Sequence, residues 1–108
     1  MRYTIEAMLT QLGYTVNDSV KSQMESIIKN TKNFFDIQKH IVQLNDSLKP
    51  YHSYVALSSS KNYLKIKNVS EGDLVAKVDE MIKNWANKYK IALEKVDGKE
   101  TYYILGKD

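Results

Sequence analysis

Cysteine is absent from all 108 residues, which excludes disulfides and thiolate zinc sites and suits a reducing compartment. Proline occurs once, at Pro50, and glycine four times, so the positions able to break a helix or reverse the chain are few and each marks a boundary. Arginine also occurs once: apart from Arg2, all of the 16 basic residues are lysines. The side chain best suited to bidentate reading of guanine or phosphate is therefore nearly missing. Long apolar runs are missing too. Glu6 interrupts Met1-Arg2-Tyr3-Thr4-Ile5, leaving neither a signal peptide nor a membrane span, and the expected location is the cytoplasm.

Charge of one sign is not concentrated. Residues 1–49 hold six basic and five acidic groups, residues 50–108 ten and eight, so the net +3 is spread and neither half is a basic tail. A hydrophobic share of 43% against 27% charged is globular composition. The length suits one domain over 1–108, burying about two-thirds of its unfolded surface.

Pro50 divides a helical part, 1–49, from a sheet-plus-helix part, 50–108. Before it, Ile5, Met8, Leu9 and Leu12 form the stripe of an amphipathic helix over 2–12, with Gly13 as its C-terminal cap. Asn17 or Asp18 suits the next N-cap. Val20, Ile27, Phe34, Ile41 and Leu48 then recur every seven residues. Asn30-Thr31-Lys32-Asn33 are mediocre helix formers, and Asn33 with Asp36 can start a new helix, so two helices, 18–30 and 33–48, are favoured over one rod. Pro50 stops the second one at Leu48 or Lys49.

After Pro50 the period falls to two. Strands are expected over 52–57, 63–67, 91–96 and 99–105, with a helix over 71–88 between the pairs. Ser70 and Asp73 form a start resembling a capping box, and Leu74, Val78, Met81, Ile82, Trp85 and Tyr89 form the inward stripe, with Trp85 against the sheet. Asp97-Gly98 fits a two-residue type I′ turn, which pairs Val96 with Lys99, Leu93 with Tyr102 and Ile91 with Ile104. The fold class is α+β: three N-terminal helices, then a β-β-α-β-β unit whose four-stranded, mainly antiparallel sheet carries the helices on one face.

The residues supply no catalytic constellation. His40 and His52 belong to no metal-binding spacing, no G-x-S-x-G is present, and Asp79-Glu80 diverge around a helix, where a solvated face accounts for them. No cofactor is implied. Two surfaces stand out instead. On the helices, adjacent Phe34 and Phe35 point about 100° apart, and Ile28, Phe34, Phe35 and Val42 are an expected interface for a homodimer or protein partner unless the helix lies deep in the core. On the sheet, alternation sends Val55, Leu57, Leu64, Ile66, Ile91, Leu93, Tyr102 and Ile104 inward and His52, Tyr54, Tyr63, Lys65, Lys67, Lys90, Ala92 and Tyr103 outward. Tyr54, Tyr63, Lys65, Lys67, Lys90 and Tyr103 would make a stacking and phosphate-neutralising face for single-stranded nucleic acid. Glu94 and Thr101 share that face, and tyrosine's ordinary strand propensity explains it as well. The expected function is a small non-enzymatic binding or assembly module associating through its helices; nucleic-acid binding on the sheet is the alternative, and a pocket for a small ligand or substrate between helices and sheet is a third.

Overall fold

A computed structural model describes residues 3–58 and 60–107. Helices α1 (Ile5–Gln11), α2 (Asp18–Asn30) and α3 (Phe34–Leu48) come first, followed by β1 (Tyr54–Leu57), β2 (Leu64–Lys67), α4 (Leu74–Tyr89), β3 (Ile91–Lys95) and β4 (Thr101–Lys107). The sheet is antiparallel throughout, in the order β1-β2-β4-β3. This is the α+β class expected, with the helices packed against the sheet. Arg2, placed by periodicity in the first helix, lies outside the described residues.

Local chemistry sets most boundaries. The Thr4 hydroxyl accepts from the Ala7 N–H and caps α1, while Asn17 Oδ1 accepts from the Val20 N–H and caps α2. Gly13, at φ +89°, follows α1 where only glycine turns left without cost. Lys49–Tyr51 form one tight turn around Pro50, and His52 is left-handed at φ 60°, so β1 starts later than alternation alone suggests.

The break between α2 and α3 is a stitch into the sheet. Lys32 bridges Gly106: its N–H donates to the Leu105 carbonyl and its own carbonyl accepts from the Lys107 N–H, filling the side of β4 beyond the end of β2. Asn30 donates to the Asn62 carbonyl and Asn33, left-handed at φ 53°, to the Lys107 carbonyl. Asn33 therefore caps α3 by position and not by a side-chain hydrogen bond.

Helix α3 also carries two buried amides seven residues apart. Gln38 accepts from the Tyr3 N–H and donates to its carbonyl, while Asn45 accepts from the Val55 N–H and donates to the Gln11 carbonyl. The Asn45–Val55 bond and the Tyr14 hydroxyl, which accepts from the Leu57 N–H, close the outer edge of β1.

Several expectations are corrected. The β3–β4 turn is longer than two residues: Val96 bonds back to the Thr101 carbonyl, Lys99 to Val96, and Leu93 and Lys95 face Ile104 and Tyr102. A type I′ turn needs positive φ at both central residues; Gly98 has it and Asp97 does not. Helix α4 begins after Asp73, and Ser70 donates to Asn68 instead of capping it. Its buried stripe is Val78, Ile82 and Ala86; Leu74 is exposed, and Trp85 is half-buried, donating to the His40 carbonyl of α3.

Asn45→Ala would leave the Val55 N–H buried without a partner, an expected loss of about 1–3 kcal/mol in chemical denaturation with faster exchange of that amide. A β-carbon at Gly106, where φ is 133°, would lie 2.5 Å from both the nitrogen and the oxygen of Lys32. Gly106→Ala is expected to cost about 1–3 kcal/mol and to strip the Lys107 amide of its exchange protection.

Candidate functional site

The inner face of the sheet is consumed by the core: Val55, Leu57, Leu64, Ile66, Ile91, Tyr102 and Ile104 are all buried beneath α3 and α4. Among the described residues, no helix lines the hollow on the opposite face. Register places Tyr54, Lys67 and Thr101 in one row across β1, β2 and β4, and Ala56, Lys65, Tyr103 and Glu94 in the next. Tyr54 is exposed; Tyr63, Lys65, Lys67 and Tyr103 are half-buried. The rings of Tyr63 and Tyr103 lie 6.2 Å apart, tilted by 43°. Five of the six residues expected on this face thus share it. Lys90 does not: it is the left-handed C-cap of α4, at φ 56°, ahead of β3.

The face is not flat. A hollow of about 180 Å³ opens on it among Ser58, Lys65, Lys67, Lys99, Thr101 and Tyr103. The Tyr103 hydroxyl meets Ser60 Oγ at 3.3 Å, and Ser60 Oγ meets Ser58 Oγ at 3.3 Å. Hydrogen bonds from Ser60 and Ser58, with the charges of Lys61 and Lys65 behind them, draw the Tyr103 phenol below its usual pKa despite a small opposing effect of burial. Lys61 also sits 5.1 Å over the Tyr103 ring and 3.9 Å from Glu94. Alternation had already assigned Thr101 to the face. Lys99 was lost to the two-residue turn, which turned it toward Val96 as a strand partner.

The helical candidates separate. Phe34 and Val42 are buried, 3% and 4% exposed, because α3 lies across β1 and β4. Their burial is intramolecular and corrects the expectation that they form an outer interface. Phe35 is 46% exposed beside half-buried Ile28, at a hollow of about 300 Å³.

Two other clusters bring polar and aromatic side chains together. Between α3 and α4 a groove of about 380 Å³ is walled by Met81, Trp85 and Tyr89 and rimmed by Gln43, Ser47 and Asn84. Nearby His40 stacks on Tyr89 at 3.6 Å, and its buried Nδ1 has no hydrogen-bond partner among the described residues. No carboxylate lines this groove, so it brings no acid–base pair together. On the inner face Tyr102 donates to Asp79, which also pairs with Lys83 at 3.0 Å. Burial works to raise the Asp79 pKa, but hydrogen bonds from Tyr102 and Lys83 and the charges of Lys83 and Lys95 hold it below the ordinary value. Burial, then the hydrogen bond and charge of Asp79, push the Tyr102 phenol well above its own. Each shift favours the form that keeps the bond, the behaviour of a structural tie between α4 and β4. Among the described residues, no three His, Cys, Asp or Glu gather as they would to hold a metal, and no helix is long and apolar enough to cross a membrane.

Comparison of the chain with models of known families, with curated proteins and with solved structures gives no match.

The Asp79–Tyr102 tie has a defined pH dependence. Because the folded pKa of Asp79 lies below its unfolded value, its contribution is complete at neutral pH and is lost as pH falls from the ordinary carboxylate range through the depressed value. The raised Tyr102 pKa stabilises below the ordinary phenol value of about 10 and loses effect as pH rises beyond it. Tyr102→Phe is expected to melt lower than the unmutated protein at pH 7, with the gap narrowing below about pH 4. A gap of constant size down to pH 2 would remove the tie as its cause.

Proposed function

We propose that this chain is a non-enzymatic binding module of the cytoplasm whose working surface is the open face of the sheet and whose ligand is single-stranded nucleic acid. The observation that carries the reading is the coincidence on one uncovered face of Tyr54, Tyr63 and Tyr103 with Lys65 and Lys67, on strands whose other face is consumed by the core. Aromatic rings on a sheet stack on unpaired bases of any sequence, and lysines neutralise the phosphates between them. Lysine is a point charge without the guanidinium fork, so a lysine-only face favours backbone affinity over base selection, in keeping with a chain whose sole arginine is Arg2. No cofactor is required.

A second reading, self-association into a homodimer through the helices, now rests on the exposed Phe35 and its neighbour Ile28, since Phe34 and Val42 are occupied within the chain. A patch of this size suits a weak contact. Light scattering at high micromolar concentration decides it: a monomer mass ends the second reading and leaves the first untouched.

For the first reading, a short labelled oligonucleotide of mixed sequence is expected to bind with an affinity that falls steeply with salt. Tyr63→Ala and Tyr103→Ala are each expected to lose about 1–3 kcal/mol of binding, whereas Lys65→Ala lowers the slope of log affinity against log salt by about 1. Absence of salt-sensitive binding, with the tyrosine variants altered only in thermal stability, defeats it.

A further inference from the structure

The lysines at this end of the sheet differ in their partners. Lys61 has Glu94 at 3.9 Å and Lys95 has Glu100 at 3.9 Å. Lys65, Lys67 and Lys99, which line the hollow, have no carboxylate partner among the described residues. Two of them, Lys65 and Lys67, are half-buried two residues apart on the same face of β2, where like charges repel with no counter-charge between them. The hollow also holds an unused donor. Thr101, directly across from Lys67, is only 7% exposed, yet its hydroxyl has no hydrogen-bond partner among the described residues. Unpaired and not sealed from solvent, that hydroxyl lines the hollow beside the three lysines and is free to donate to a ligand there.

The acceptor's chemistry follows from the count. A carboxylate brings one charge and two oxygens in a plane, and a phosphodiester brings one charge and two free oxygens. A phosphomonoester brings close to two charges at neutral pH and three strong acceptor oxygens arranged in a pyramid, which suits a hollow lined by three lysines and a hydroxyl from two strands and a turn. We propose that the hollow is a site for a phosphomonoester, and that on the nucleic acid inferred above it holds the terminal phosphate of a strand while the adjoining bases cross Tyr103 and Tyr63. The strand-end assignment rests on the nucleic-acid reading; the phosphate site does not. A face built this way grips a strand by its end and thereby sets where the stacked bases begin.

The test uses the full chain and three versions of one oligonucleotide of about eight nucleotides, carrying a 5′-phosphate, a 3′-phosphate or neither, compared by fluorescence anisotropy at matched salt. A parallel NMR titration uses inorganic phosphate alone. One phosphorylated end is expected to bind about ten-fold more tightly than the bare strand. Lys99→Ala and Thr101→Val should each bring that ratio toward one while leaving the bare strand's affinity within a few-fold; melting curves establish that both variants fold. Inorganic phosphate should shift the amide signals of Lys67 and Thr101. Equal affinity for all three strands without such shifts overturns the site and leaves the stacking face standing. Phosphate shifts without binding of any strand uphold the site and remove the nucleic-acid reading instead. A ten-fold preference that survives both substitutions also overturns the assignment to this hollow.

Discussion

The N–H groups of Ser53, Val55 and Leu57 point away from β2, along an edge where each, buried and unpaired, would cost about 1–3 kcal/mol. Their acceptors come from three different places: the Leu48 carbonyl at the end of α3, the Asn45 side chain within α3, and the Tyr14 hydroxyl between α1 and α2. Gln23 of α2 adds a fourth bond, donating to the Ser58 carbonyl. Satisfying one strand edge therefore commits the whole N-terminal part of the chain. Helices held along β1 and across the inner face are not available to cover the outer one, so the tyrosine and lysine rows remain open because the helices are tied elsewhere.

Apolar stripes bring helices to a sheet without choosing how far they slide along it, and the polar bonds make that choice. Gln38, Asn45, Asn30 and Asn33 each bond to backbone at the far side of a contact that the hydrophobic residues alone leave free to shift. The Asp79–Tyr102 bond does the same for α4 on β4. A buried amide paired wrongly loses its partners altogether, whereas a leucine moved by one turn still finds grease, so a handful of such groups singles out one arrangement.

Much of this was legible from spacing, and the failures have physical causes. The α2–α3 break could be placed because Asn30-Thr31-Lys32-Asn33 resist helix; its role as a stitch was hidden, since Asn33 bonds to a carbonyl 74 positions away. Asp97-Gly98 marked the turn, but the four-residue loop moved the register by two, and an irregularity between Ala92 and Leu93 takes Ile91 one further, to Lys107 instead of Ile104. A slip of two preserves the face of every side chain, which is why Tyr102 and Ile104 still point inward and Tyr103 outward. Two-residue alternation, which needs no register, placed Tyr54, Tyr63, Lys65 and Lys67. It did not help Lys99, a turn residue with no period to follow, nor Lys90, which left-handed capping of α4 removes from the face. On the helices, a seven-residue stripe identifies an apolar face and is silent about what covers it, and the cover for Phe34 and Val42 is the chain's own sheet. Trp85 turns to α3 because α4 packs on α3 as well as on the sheet, so its apolar arc is wider than one line of contact.

Strand β4 sits between β2 and β3 and also receives the bridge from Lys32, yet it follows every other element in the chain. The two halves of the sheet have no shared partner until it is present, and the α2–α3 junction has nothing to dock on. During synthesis the inner faces of α3 and α4 that pack on β4 must wait for the stretch made last. Completion of the fold thus waits on the last stretch: a ribosome stalled shortly before Thr101 would hold a first hairpin with its helices, a β3 without a partner strand and an α2–α3 junction with nothing to bridge.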